Sequence, residues 1–140
     1  MLSMVSVDTA MQPEAVTAQA LVILADSGRA ITEIVKRRAG HDVLASNTAM
    51  MAAALIWLNG PMRPGELAEA LDITTGGSTK IVSRLEEGGV VSKEPEGDDG
   101  RAVVVSLTEE GKRSMASVLS AVAPAVRDLV LKLARLEVAT

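Results

Sequence analysis

Within residues 61–111 the chain changes its hydrophobic period, and that change restricts the fold more than any other feature. The stretch reads PMRPGELAEALDITTGGSTKIVSRLEEGGVVSKEPEGDDGRAVVVSLTEEG. Its first part spaces apolar residues by three and four: Leu67, Ala70 and Leu71, then Ile81, Val82 and Leu85. That spacing is helical. Arg63-Pro64 opens a short helix, residues 72–75 form a turn rich in capping residues, and a second helix runs from Thr74 or Thr75 to Glu87, where Gly88-Gly89 stops it. Val90-Val91 then leads into Lys93, and the β-branched run AVVVSL of Ala102–Leu107 reads as a strand. Between them Pro95, Gly97, Asp98, Asp99 and Gly100 make a turn cluster. Two short helices around a tight turn form a helix-turn-helix. The hairpin behind them is a wing.

The flanks are helical. Pro13 with Glu14 fits a helix N-terminus. Val16, Leu21, Leu24, Ile31, Ile34 and Val35 recur at helical spacing up to Lys36, Arg37 and Arg38, with Gly40 as the cap. Gly28 lies within that pattern and weakens the reading of one unbroken helix. Ser46 or Asn47 caps a next helix that runs to about Leu58 and ends at Asn59-Gly60-Pro61. Thr108-Glu109-Glu110 starts a last helix with the apolar stripe Met115, Val118, Val122, Val126, Leu129, Leu133 and Leu136. Pro124 inside it predicts a kink or a split. The expected architecture is mainly α with a small β-hairpin wing: a flexible N-terminus over residues 1–12, helical regions over 13–45 and 108–140, and a winged helix-turn-helix over 46–107.

Composition narrows the chemistry. The sequence has 140 residues, 48% of them hydrophobic and 23% charged, the size and balance of one folded domain. Trp57 is the only aromatic residue, so the core is built from Leu, Val, Ile, Ala and Met. There is no cysteine, which excludes disulfides, thiol sensing and cysteine metal sites, and the single histidine makes no zinc site alone. The longest wholly apolar run covers ten residues, 49–58, against about 20 for a membrane span. The N-terminus has no basic region of a secretory signal. A cytoplasmic protein with neither cofactor nor membrane partner is expected.

Three motifs carry a family resemblance. Asp99-Gly100-Arg101 followed by Leu107-Thr108-Glu109-Glu110-Gly111 resembles the D-x-R…L-T-x-x-G wing signature of the MarR family of bacterial winged-helix transcription factors. The stretch TKIVSRLE, residues 79–86, is similar to that family's T-R-L-V-x-R-L-E recognition helix, and RPGELA, residues 63–68, resembles the opening of the helix before it. The resemblance implies a homodimer built from the N- and C-terminal helices. It also implies binding to a pseudo-palindromic operator in double-stranded DNA and repression relieved by a small-molecule effector or an oxidant.

The candidate DNA-binding residues fall in three places. Thr75, Gly76, Gly77, Ser78, Thr79 and Lys80 form the first half of the recognition helix, the part that meets base edges in a major groove. Arg84 lies one turn beyond Lys80 and suits a phosphate or a salt bridge to Glu87. In the wing, the resemblance implies that Asp99 and Arg101 pair to hold the tip and that Arg101 reaches the minor groove; Lys93 is a further phosphate candidate. Charge opposes this reading. Residues 61–113 hold seven Lys and Arg against eleven Asp and Glu, and the net charge is −4. Glu94, Glu96, Asp98 and Asp99 crowd the wing itself. Few phosphate contacts imply dependence on base contacts and on two half-sites, with weak binding to random DNA. The alternative is a winged-helix interaction module that has lost DNA binding.

Other motifs carry less. GGSTK, residues 76–80, lacks the glycine before lysine and the preceding strand of a phosphate loop. His41 reads as a loop residue, and no serine lies in a nucleophile elbow, so catalysis is not expected. Met50, Met51 and Trp57 read as core. An effector pocket would be aliphatic and Met-lined, with Trp57 for stacking and Arg29, Arg37, Arg38 or Arg63 to hold a carboxylate.

Overall fold

The computed structural model describes residues 12–97 and 102–136. In chain order the elements are α1 Pro13–Arg38, a 3-10 turn at Asp42–Ala45, α2 Asn47–Asn59, α3 Pro64–Leu71, α4 Thr75–Glu87, β1 Val91–Glu96, β2 Ala102–Leu107 and α5 Glu109–Ala134. The chain divides into two compact units, Val35–Ala121 and the residues on either side of it.

In the Val35–Ala121 unit, α2 is the axis. It packs against the 3-10 turn, α3, α4 and β2, and buries Ala49, Ala52, Ala53 and Ile56. Three alanines let the neighbouring backbones approach closely, which suits a core without Phe or Tyr. Around them lie Leu44, Leu67, Val82, Leu85, Val90, Val91, Val105, Met115 and Val118. Ser46 caps α2, its hydroxyl accepting from the Ala49 amide at 3.5 Å. Trp57 and Met51 do not join this core. Trp57 is 43% exposed and Met51 49%; both lie off the buried row of α2 formed by Ala49, Ala52, Ala53 and Ile56.

β1 and β2 pair antiparallel, with Val91 opposite Leu107 and Glu96 opposite Ala102. Val91, Val105 and Leu107 face the core. Pro95 belongs to β1, opposite Val103, and not to the turn. It is tolerated because β1 is an edge strand, where a missing N–H breaks little of the ladder. Met62 adds a short bridge on the other edge of β2, its amide donating to the Val105 carbonyl at 3.0 Å and its carbonyl accepting from the Val105 amide at 2.7 Å.

The junction between β2 and α5 is tightly specified. The Thr108 hydroxyl donates to the Gly89 carbonyl at 2.6 Å and accepts from the Gly111 amide at 2.9 Å. The Thr108 amide donates to the Val90 carbonyl at 3.0 Å. Gly111 presses on that same carbonyl: a β-carbon there would lie 2.0 Å from the Val90 oxygen. Gly89, at φ +79°, makes the left-handed turn that brings Val90 into place.

The other unit contains α1 up to Ile34 and α5 from Val122. Here α1 is unbroken through Gly28, whose carbonyl accepts from the Thr32 hydroxyl at 2.8 Å. A helix this long tolerates one glycine, at about 1 kcal/mol. Likewise α5 runs through Pro124 as a single helix and is not split. Pro124 and Ser120, whose carbonyl loses its i+4 donor, are both exposed, so the carbonyl is open to solvent. Ile23 and Val122 are buried, while Leu21, Val22, Leu24, Val126, Val130 and Leu131 are exposed, Leu21 by 62% and Val130 by 58%. Among the described residues, α5 alone is long and apolar enough to cross a membrane by length and composition. It also carries the Lys132–Asp128 ion pair, at 2.9 Å, on its exposed side.

Gly111→Ala and Gly28→Ala are expected to act in opposite directions. The first forces backbone apart and destabilises the fold by about 3 kcal/mol or more. The second enters open space within a helix and stabilises by ~0.5–1 kcal/mol. Chemical denaturation of the two variants against the parent checks both.

Candidate nucleic-acid interface

α3 and α4 pack on each other across the turn at 72–74. Asp72 takes the left-handed conformation, φ 55°, as the C-cap of α3, and Thr74 caps α4 by accepting from the Gly77 amide at 3.0 Å. Within α4, Ser78, Val82 and Leu85 face inward. The opposite face carries Thr75, Gly76, Thr79, Lys80 and Arg84, all exposed, in the i, i+4 rows of one helix side. Among the described residues Lys80 and Arg84 pair with no carboxylate, so the alternative of an Arg84–Glu87 salt bridge is not what the structure shows.

Three candidate residues behave differently from expectation. Ser78 is 1% exposed, and its hydroxyl donates to the Pro64 carbonyl at 2.8 Å. It holds α4 on the start of α3 and is not available to a base edge. Helical period explains this: Ser78 lies four residues before Val82, on the inward row. Gly77 is half-buried, since a β-carbon there would lie 3.2 Å from the Thr74 hydroxyl oxygen. Lys93 is exposed, yet its Nζ lies 3.3 Å from Glu86 Oε1 at the end of α4. The Thr79 hydroxyl donates to the Thr75 carbonyl at 3.0 Å, which leaves its oxygen lone pairs outward. Asp99, Arg101 and Asp98 lie outside the described residues.

Part of the acid surplus is engaged within the fold. Glu66 accepts from the Arg63 amide at 2.8 Å, Glu109 pairs with Lys112 at 3.3 Å, and Glu110 lies 3.3 Å from His41 Nε2. Glu96 is not a free wing carboxylate. Its Oε2 accepts from Arg63 Nε at 2.8 Å, across 33 residues of sequence. That hydrogen bond, with Arg63's positive charge adding to it and partial desolvation opposing, holds the Glu96 carboxyl below the usual carboxylate range. The same bond and the Glu96 charge raise the Arg63 guanidinium. Arg63 is thus paired with the wing and not left without a carboxylate partner. Sequence reasoning missed this pair because no local spacing links residues so far apart. The Thr108–Gly111 lock was visible only as a motif.

Together these elements define a winged helix-turn-helix with an outward face on its second helix. Residues 48–102 match the sequence model of the MarR family. That match covers the winged helix-turn-helix and makes this region similar to the MarR family of transcriptional regulators. The HTH-type transcriptional regulator YcgE of Bacillus subtilis (strain 168) is 30% identical over 82 residues, 59% of this chain and 53% of that protein. A MarR-like transcriptional regulator of Thermotoga maritima is 32% identical, with a TM-score of 0.52 over 62% of each chain. YusO of Bacillus subtilis covers 90% of this chain and 85% of its own, with a TM-score of 0.67; at 22% identity it bears on the fold alone. The chain spans about half the length of the curated relatives it matches.

Two outcomes test this geometry. Ser78→Ala, which loses a buried hydrogen bond, is expected to cost ~1 kcal/mol in stability, while Thr75→Ala at the exposed cap-adjacent position costs far less. Denaturant titration separates them. The sign for Glu96 follows from its lowered folded value: the pair is fully present above the ordinary glutamate range near ~4 and is lost as pH falls through the folded value. A carboxyl NMR titration is expected to find Glu96 below the ordinary glutamate range, and raised toward it in Arg63→Gln.

Proposed function

We propose that the chain is a sequence-specific, DNA-binding transcriptional regulator that acts as a homodimer on a pseudo-palindromic operator in the cytoplasm. The observation that carries this reading is the outward face of α4. Thr75, Thr79, Lys80 and Arg84 stand exposed on a helix packed in a helix-turn-helix, with the two cations unpaired among the described residues. Second helices of such units read base edges in the major groove, and a lysine suits guanine or a phosphate there. Gly76 lets the backbone approach closely. Two such cations per subunit predict a shallow salt dependence, because each phosphate neutralised contributes a slope of only about −0.9.

The dimer is supported by the exposed Leu21, Val22 and Leu24 of α1 and Val126, Val130 and Leu131 of α5, an apolar area that a second copy would cover. Response to a small molecule is supported by a cavity of ≈ 450 Å³ lined by Ile56, Trp57, Pro61, Leu107 and Lys112. Its largely apolar walls suit a hydrophobic ligand. The sequence holds no cysteine, so ligand binding and not thiol oxidation is the proposed signal. Repression is the proposed output, since an operator-bound dimer obstructs transcription until an effector releases it.

Fluorescence anisotropy with the chain's own upstream DNA and a random duplex tests the reading. Lys80→Ala is expected to weaken operator binding about tenfold or more, and Arg84→Ala to reduce the salt slope by roughly 0.9 per subunit. Equal affinity for both duplexes, or an unaltered Lys80→Ala variant, sinks the proposal in favour of an interaction module.

A further inference from the structure

β2 is the middle strand of the wing's base. Both backbone groups of Val105 bond to Met62, so Met62 lies on the edge of β2 opposite β1. Arg63 follows Met62 and starts from that far edge. Its guanidinium nevertheless reaches Glu96 on β1, 2.8 Å away. The side chain therefore straps across β2, on the face where Glu96 stands opposite Ala102. The small alanine leaves room for it.

A strap matters here because little else holds the outer half of the hairpin. The core-facing residues Val91, Val105 and Leu107 lie at its base. Further out, Lys93, Glu94 and Pro95 are exposed. An isolated two-stranded ribbon is marginal in water. Two ion pairs restrain it: Lys93 to Glu86 of α4, and Glu96 to Arg63. The second connects directly to the outward helix, because the next carbonyl, of Pro64, accepts from Ser78 of α4.

We propose that Arg63, through its ion pair with Glu96, is a positioning residue for DNA binding that fixes the wing relative to α4 so that both reach one duplex. This rests on the DNA-binding reading above. Arg63 acts by holding the strand and not by touching DNA. The Glu66 cap uses the Arg63 backbone amide, so changing the side chain leaves that cap in place.

The test compares Arg63→Gln, Glu96→Gln, the double variant and the charge swap Arg63→Glu with Glu96→Arg, in the full chain. Amide hydrogen exchange is read across Val91–Glu96 and Ala102–Leu107, with melting temperature and anisotropy on the upstream duplex. Each single variant is expected to speed exchange in the outer half of both strands and to weaken binding about three- to tenfold, with little change in melting temperature, as for an exposed pair. The double variant is expected to be no weaker than either single one, and the swap to restore much of both readouts. Unchanged exchange in the single variants overturns the strap. Faster exchange with unaltered affinity overturns the positioning role, as does tighter binding by Glu96→Gln, which would make Glu96 a competitor of DNA. If the parent binds no duplex while exchange responds as expected, the DNA-binding reading fails and the strap itself stands.

Discussion

The contact of Gly111 and Thr108 with the Gly89–Val90 turn is the point on which the unit depends. It joins the end of α4, the base of the wing and the start of α5 in one set of hydrogen bonds. The Val90 carbonyl is approached so closely that only a residue without a side chain fits opposite it. With that junction closed, β2 leaves it toward the bridge with Met62, and α5 leaves it with Met115 and Val118 turned inward. The motif residues of the wing's end are thus explained by backbone proximity and need no contact with DNA.

The second constraint is the small-residue core. Without Phe or Tyr, helices must come close for packing to reach ordinary density, and the alanines of α2 permit it. Bulk is displaced to the surface as a consequence. Trp57, Leu58 and Met51 are exposed on α2, and Trp57 helps to line the cavity.

Electrostatics divides the cations into two groups. Arg63, Lys93 and Lys112 are held by carboxylates of the same unit and give the wing and the start of α5 their placement. Lys80 and Arg84 are left outward on α4. An acidic balance is compatible with a cationic helix face, because Glu66, Glu86, Glu96, Glu109 and Glu110 are engaged elsewhere in the fold. Each exposed pair contributes only about 0–1 kcal/mol, so these contacts adjust geometry more than they hold the fold.

Local chemistry determined much by itself. Periodicity, caps and glycine stops placed α3 at Pro64–Leu71 and α4 at Thr75–Glu87, since those signals act within a few residues. The same signals could not place Pro95 in a strand, keep α5 whole through Pro124, or expose Trp57, because each depends on which neighbours, or water, lie alongside. Nor could they show that Ser78 turns inward to Pro64 while Thr79 and Lys80 turn out, a matter of how α4 is rotated against α3. The Arg63–Glu96 strap spans 33 residues and exists only because Met62 joins the far edge of β2. The sequence alone determined the order and nature of the elements. Tertiary packing decided which of their side chains are structural and which are free to meet DNA, because that choice is made by contacts between residues distant in the chain.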